Sequence, residues 1–193
     1  YQDLAAAPRL PLIFAAVTAT VWALIGTTST DGPAGLSAYL VVGALGVAMS
    51  YVDLREHLLP DWLTLPALAA AGSLLALAAA TTGEWGWYGR AWAGAAVMFA
   101  FYLALTAIRP TDLGLGDVKL AAVIGLLLGW AGWTAVILGA FLAFLIGGLA
   151  GIVMVIIGKA GRHTAIPFGP SMLVGALAAL VWGEAVLDVY LNL

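Results

Sequence analysis

Seven long apolar runs, separated by short polar segments, constrain this chain more than any other feature of its sequence. The runs cover residues 10–28, 36–53, 61–80, 87–108, 116–131, 133–157 and 166–183. About 20 apolar residues in a helix cross the ~30 Å hydrocarbon core of a bilayer, where an open chain satisfies its backbone groups only as a helix. With 64% hydrophobic and 9% charged residues, the chain is predicted to be all-α, a polytopic transmembrane bundle of about seven helices (six to eight).

The composition also excludes several kinds of site. The chain has no cysteine, which rules out disulfides and thiolate metal sites, and its two histidines, His57 and His163, are too far apart to form a helical metal pair. A net charge of −3 indicates no basic surface for nucleic acid. We therefore expect no metal, no cofactor and no nucleic-acid partner. The first residue is Tyr1 rather than methionine, so we expect an upstream portion to have been trimmed.

The positive charges predict the orientation of the bundle. With the amino terminus in the cytoplasm, six of the seven Lys and Arg residues fall on the inner side, and only Arg90 falls outside. The positive-inside rule favours this arrangement. The six inner residues are Arg9, Arg55, Arg109, Lys119, Lys159 and Arg162.

Two acidic clusters face the same inner membrane surface in this topology. Asp53 closes the second apolar run and Asp117 opens the fifth. Two carboxylates brought within hydrogen-bonding distance cannot both ionise cheaply, so one keeps a proton. The protonated group can then polarise a carbonyl oxygen while the ionised group removes a proton from water, which hydrolyses an amide without a metal.

The residues around Asp117 suit this chemistry. Gly114 and Gly116 have no side chains, so the chain can turn sharply there and a substrate backbone can approach closely. Lys119 could tune the local charge or contact lipid headgroups.

Each aspartate also has a purely structural interpretation. Aspartate is favoured at helix starts, so Asp61, Asp112 and Asp117 could each cap a helix, and for Asp61 and Asp112 we prefer that interpretation. Asp53 does not fit it, because a negative charge at the end of a helix opposes the helix dipole. Ionisable residues within membrane segments are usually functional, which leaves both interpretations open for Asp117.

Two further patterns in the sequence contain glycine, the GxxxG spacings and the start of the last apolar run. The GxxxG spacings at Gly125–Gly129 and Gly147–Gly151 indicate close helix packing.

The last apolar run opens with irregular backbone, which predicts either a substrate groove or a plain helix start with proline in its first turn. The residues concerned are Pro167, Phe168, Gly169 and Pro170.

Three motifs together resemble the type IV prepilin peptidases, which belong with the GxGD aspartyl proteases. They are Asp53 followed after six residues by Pro60-Asp61-Trp62-Leu63-Thr64, then Gly114-Leu115-Gly116-Asp117-Val118-Lys119-Leu120, then Ile166-Pro167-Phe168-Gly169-Pro170. The resemblance covers roughly residues 10–183. It implies that Asp53 and Asp117 form the catalytic dyad. It also implies supporting roles for Gly114, Gly116, Lys119, Pro60, Asp61 and Thr64.

The resemblance further implies an activity and a location. Residues 1–193 would form a single transmembrane peptidase domain in the cytoplasmic (inner) membrane. It would cut the leader from prepilin or pseudopilin precursors at the cytoplasmic face, in contact with lipid. Longer members add a zinc-binding CxxC module and methylate the new amino terminus. None of that module lies within residues 1–193, so the resemblance of these residues does not include methylation, and it leaves open whether the natural protein has an upstream module with that activity.

Two alternatives from other classes stay open. A proton-coupled transporter could use the same aspartates, but that class expects mid-membrane carboxylates and internal repeats, and we find no repeat. An inactive membrane scaffold would be expected to have lost an aspartate or a glycine, whereas both aspartates are present.

Overall fold

The chain forms seven helices in a computed structural model that describes residues 10–27, 32–56, 59–108, 114–157 and 167–191. No strand occurs among these residues, so the all-α prediction is confirmed. The helices are α1 Leu10–Gly26, α2 Gly32–Glu56, α3 Asp61–Thr82, α4 Trp85–Ile108, α5 Leu115–Ala131, α6 Trp133–Ile156 and α7 Gly169–Leu191.

Four of the helices are long and apolar enough to cross a membrane, namely α2, α3, α4 and α6. The chain is therefore a multi-pass membrane protein. The central helix α5 has only 17 residues, which gives a length of about 25 Å at ~1.5 Å per residue.

Two predicted boundaries need correction. α2 continues to Glu56, so Asp53 lies inside the last turn of α2 rather than closing it. α7 continues to Leu191, beyond the predicted end at 183. Both helices extend through polar residues that lengthen a helix without lengthening its apolar run.

α5 occupies the centre of the bundle, where it packs against α3, α4, α6 and α7. Every residue from Leu120 to Trp130 is buried. A helix surrounded on all sides needs no polar face, which is why this part of the sequence shows no amphipathic pattern. Gly132 alone connects α5 to α6, with a φ of +153° that favours glycine.

Small residues bring α4 and α5 into backbone contact. A Cβ on Gly94 would lie 2.5 Å from the carbonyl oxygen of Gly125, and one on Gly129 would lie 2.8 Å from the carbonyl oxygen of Arg90. The packing interpretation of Gly125 and Gly129 is therefore confirmed. Gly147 on α6 has a similar use, since a Cβ there would lie 2.5 Å from the Phe168 ring.

Candidate active site

Asp53 is buried in the last turn of α2, with 4% of its surface exposed. Its Oδ2 accepts a hydrogen bond of 2.9 Å from the backbone N–H of Gly169, the first residue of α7. A Cβ on Gly169 would lie only 2.8 Å from the same oxygen. Glycine at this position therefore lets the backbone of α7 approach the carboxylate of α2.

Asp117 is the third residue of α5 and is 9% exposed. Its Oδ2 accepts a hydrogen bond of 3.2 Å from the N–H of Gly114, the N-cap residue. Asp117 thus does cap α5, as its structural interpretation predicts. That role uses only one oxygen, because Oδ1 is buried and has no hydrogen-bond partner among the described residues.

Leu59 joins the two aspartate-bearing segments. A Cβ on Gly116 would meet the Leu59 Cβ at 2.8 Å, and one on Gly169 would meet the Leu59 Cδ1 at 3.4 Å. Leu59 therefore lies between the glycine before Asp117 and the glycine that binds Asp53. Asp53 lies in the last turn of α2 and Asp117 in the first turn of α5, so the structure brings both carboxylates to one end of the bundle.

Asp61 and Lys119 form an ion pair between the start of α3 and the first turn of α5. The preferred interpretation of Asp61 as a helix cap is wrong. The N-cap of α3 is Pro60, with no side-chain cap hydrogen bond, and the Asp61 carboxylate accepts instead from the Lys119 ammonium group. The pair is partly exposed and ties the two segments together beside the buried aspartates. Asp112, the other candidate cap, lies outside the described residues.

Thr64 lies one turn into α3 and is almost fully buried. Its backbone N–H donates to the Pro60 carbonyl at 3.3 Å, but its hydroxyl has no hydrogen-bond partner among the described residues. Pro60 and Thr64 thus shape the first turn of α3 near the site.

The segment before α7 combines features of both interpretations offered for it. Pro167 and Phe168 precede the helix, and Pro170 lies in its first turn, as expected for a plain helix start. The Phe168 ring packs against Phe144 with centroids 5.2 Å apart. The adjoining Gly169 contributes its N–H to Asp53, so the segment also builds the site.

The sequence reasoning missed Leu59 and Tyr102. Tyr102 on α4 is fully buried, and its hydroxyl has no hydrogen-bond partner among the described residues. Its one available signal was a phenol within an otherwise apolar run. Leu59 carried no signal, since a leucine in a membrane protein is unremarkable.

An apolar cavity of about 420 Å³ lies beside the site and is lined by α1, α2, α5 and α7. Ser50, Tyr51 and Leu54, which flank Asp53 in sequence, contribute to its wall. Neither aspartate lines it, so this cavity is distinct from the carboxylate site.

The comparisons with known proteins agree on one family. The family model of the type IV leader peptidase family matches residues 39–156, more than half of the chain. A prepilin leader peptidase/N-methyltransferase of Aeromonas salmonicida is 32% identical over 95% of this chain and 62% of its own length. The Pseudomonas aeruginosa protein of the same name is 33% identical over 82% and 53%. The Bacillus subtilis protein of that name is 31% identical over 78% and 57%.

The match with these relatives is partial on their side, because the chain spans about three fifths or less of their length. No solved structure matches the chain. The matched residues 39–156 nevertheless include both buried aspartates and run from α2 through α6. The chain belongs to the type IV leader peptidase family.

Proposed function

We propose that the chain is a membrane aspartyl endopeptidase that cleaves the leader peptide of type IV prepilin-like precursors. One observation carries this proposal. Two buried carboxylates, Asp53 and Asp117, lie at the same end of the bundle, and each accepts a hydrogen bond from a glycine N–H. The curated relatives are named prepilin leader peptidases, which gives the amide hydrolysis a substrate class.

The two carboxylates can divide the reaction between them. The ionised one removes a proton from a water molecule, whose oxygen bonds to the scissile carbonyl carbon. The protonated one donates to the carbonyl oxygen as that oxygen gains charge. When the C–N bond breaks, the leaving amine takes the proton that the first carboxylate had removed from water. The carbonyl re-forms as its hydroxyl returns a proton to the second carboxylate, so the dyad regains its starting state without a covalent enzyme intermediate.

The charge distribution supports a cytoplasmic position for this site. Arg55 and Lys119 lie at the aspartate end of the bundle, in the last turn of α2 and the first turn of α5. Arg90 lies at the opposite end, against the last residues of α5. Positive residues concentrate on the cytoplasmic side of membrane proteins, so we place the aspartates at the cytoplasmic face of the inner membrane.

The position of the carboxylates speaks against a transporter. Proton-coupled transporters bind their coupling ions near the bilayer midplane. Asp53 and Asp117 instead lie in the terminal turns of α2 and α5.

The experiment is a cleavage assay in liposomes with a precursor that carries a basic leader, a glycine and a hydrophobic helix. We expect wild type to cut after the glycine, and Asp53→Asn and Asp117→Asn each to lower the rate below detection without changing the unfolding midpoint. Asparagine keeps the size of aspartate and removes its charge.

Glu84→Gln is the matched control, since Glu84 is an exposed carboxylate between α3 and α4. It should cleave like wild type. Cleavage by either Asn variant at the wild-type rate would contradict the dyad, and a folded wild type that never cleaves would contradict the peptidase assignment.

A further inference from the structure

Tyr102 carries a buried hydroxyl that the fold does not use. Its side chain on α4 is 0% exposed, and its hydroxyl has no hydrogen-bond partner among the described residues. Buried tyrosine hydroxyls usually find a partner, because a buried donor without one loses its bonds to water and gains nothing. An unpaired tyrosine hydroxyl buried inside a membrane protein therefore calls for an explanation.

Aromatic packing fixes the position of this hydroxyl. The Tyr102 ring stacks on Phe144 at 5.5 Å with 24° between the planes, and it contacts Phe168 at 6.2 Å. Phe168 directly precedes Gly169, whose N–H donates to Asp53. The phenol therefore belongs to the same packed unit as the carboxylate site.

The hydroxyl faces a matching unpaired acceptor across two antiparallel helices. Arg90 of α4 contacts Gly129 of α5, and Gly94 contacts Gly125, so the same register sets Tyr102 opposite Asp117. Oδ1 of Asp117 is itself buried without a partner among the described residues. A carboxylate oxygen only accepts hydrogen bonds, whereas a phenol can donate one. An unused donor and an unused acceptor thus occupy facing positions on neighbouring helices.

We propose that Tyr102 is a positioning residue, whose hydroxyl donates a hydrogen bond to a water that in turn donates to Oδ1 of Asp117. Gly114 holds the other oxygen, so the two donors together fix the plane of the carboxylate. Each oxygen keeps a second lone pair for the reacting water or the substrate. The catalytic consequence rests on the proposed peptidase function.

The test compares Tyr102→Phe with Tyr39→Phe in the precursor cleavage assay. Phenylalanine keeps the ring contacts of Tyr102 and removes only the hydroxyl. We expect kcat to fall about tenfold, as for the loss of one hydrogen bond to a charged group, with KM unchanged. The unfolding midpoint should change little, because the lost water-mediated bond is offset by the removal of a buried polar group.

Tyr39→Phe is the matched control, because the Tyr39 hydroxyl already donates to the Leu127 carbonyl at 3.2 Å. It should lower the unfolding midpoint and leave kcat unchanged, the reverse pattern. A Tyr102→Phe variant with wild-type kcat would overturn the proposal while leaving the peptidase assignment intact.

A second measurement does not depend on cleavage. Tyr102→Phe is introduced into wild type and into Asp117→Asn, and the four unfolding midpoints form a double-mutant cycle. If the hydroxyl serves Asp117, the shift caused by Tyr102→Phe differs between the two backgrounds. Equal shifts would overturn the proposal even in a chain that cleaves nothing.

Discussion

Opposite charges that both suit the helix dipole lie at the two ends of α5, Asp117 of α5 itself and Arg90 of α4, yet the two charges are used differently. At one end the Arg90 guanidinium donates to the Gly129 carbonyl at 2.8 Å and to the Trp130 carbonyl at 2.5 Å. At the other end Asp117 accepts one hydrogen bond at Oδ2 and none at Oδ1 among the described residues. A charge at a helix end therefore does not by itself separate a structural residue from a functional one. What separates the functional residue from the structural one is a buried oxygen, Oδ1 of Asp117, that has no hydrogen-bond partner among the described residues.

Glycines show the same contrast between the two ends. Near Arg90, Gly94 brings one backbone against another, with the Gly125 carbonyl 2.5 Å from where a Cβ would lie. Near the aspartates, Gly169 brings a backbone against the movable end of the Asp53 side chain. An added methyl group on Gly94 must therefore displace a helix, whereas one on Gly169 displaces only a carboxylate.

Among the variants outside the dyad, Gly169→Ala should have the largest effect on cleavage. Its Cβ would lie 2.8 Å from Oδ2 of Asp53, so the carboxylate has to move by a fraction of an ångström or more. Misplacement of a reacting group by ~1 Å can cost about 100-fold in rate, and we expect a loss of that order in kcat. The unfolding midpoint should change little, because a side-chain end can shift cheaply.

Two other alanine variants serve as controls for the cleavage and stability of Gly169→Ala. Gly94→Ala should lower the free energy of unfolding by about 1–3 kcal/mol through overpacking, with normal cleavage per folded molecule. Gly148→Ala adds a Cβ with nothing within 4 Å and should change neither property. If Gly169→Ala loses stability and activity in proportion, the contrast between the two ends is wrong.

Arg90→Met tests the other end of α5. Methionine keeps an apolar stem and removes the donors that bind the Gly129 and Trp130 carbonyls. We expect the free energy of unfolding to fall by about 1–3 kcal/mol, measured by tryptophan fluorescence during denaturation. The cleavage rate of the folded fraction should stay within about twofold of wild type, a change of less than ~0.5 kcal/mol in the barrier. A selective loss of cleavage would mean that this end also shapes the site.

The sequence predicts the helices of this fold better than it predicts the contacts between them. Apolar runs locate all seven helices because a bilayer requires about 20 apolar residues for each crossing. They locate the helix ends less well. The second apolar run ends at Asp53, whereas α2 ends three residues further on, at Glu56. The polarity of a residue does not reveal where backbone hydrogen bonding stops.

The site shows the same limit at finer scale. Motif spacing indicates Asp53 and Asp117, but the partner of each oxygen depends on how α2, α5 and α7 are rotated in the bundle. Close glycine contacts set those rotations, and a single sequence does not display them. Asp61 illustrates this point, since a favourable helix-start position suggested a cap and the packing of α3 against α5 supplied Lys119 instead.

Asp61→Asn should have the smallest effect. Asp61 and Lys119 have side chains 60% and 35% exposed, and exposed ion pairs contribute at most about 1 kcal/mol. We expect a small drop in the unfolding midpoint and a modest drop in kcat, because the pair links the segments that carry the site without belonging to it. Lys119→Gln should reproduce both changes.

Salt provides the control for this last variant. Raising the ionic strength to 1 M shortens the screening length to about 3 Å, so the differences between wild type and Asp61→Asn should nearly vanish. A complete loss of cleavage in Asp61→Asn at every salt concentration would mean that Asp61, rather than Asp53, is the partner of Asp117. The exposed pair would then belong to the site, and the burial of Asp53 against Gly169 would be the structural contact.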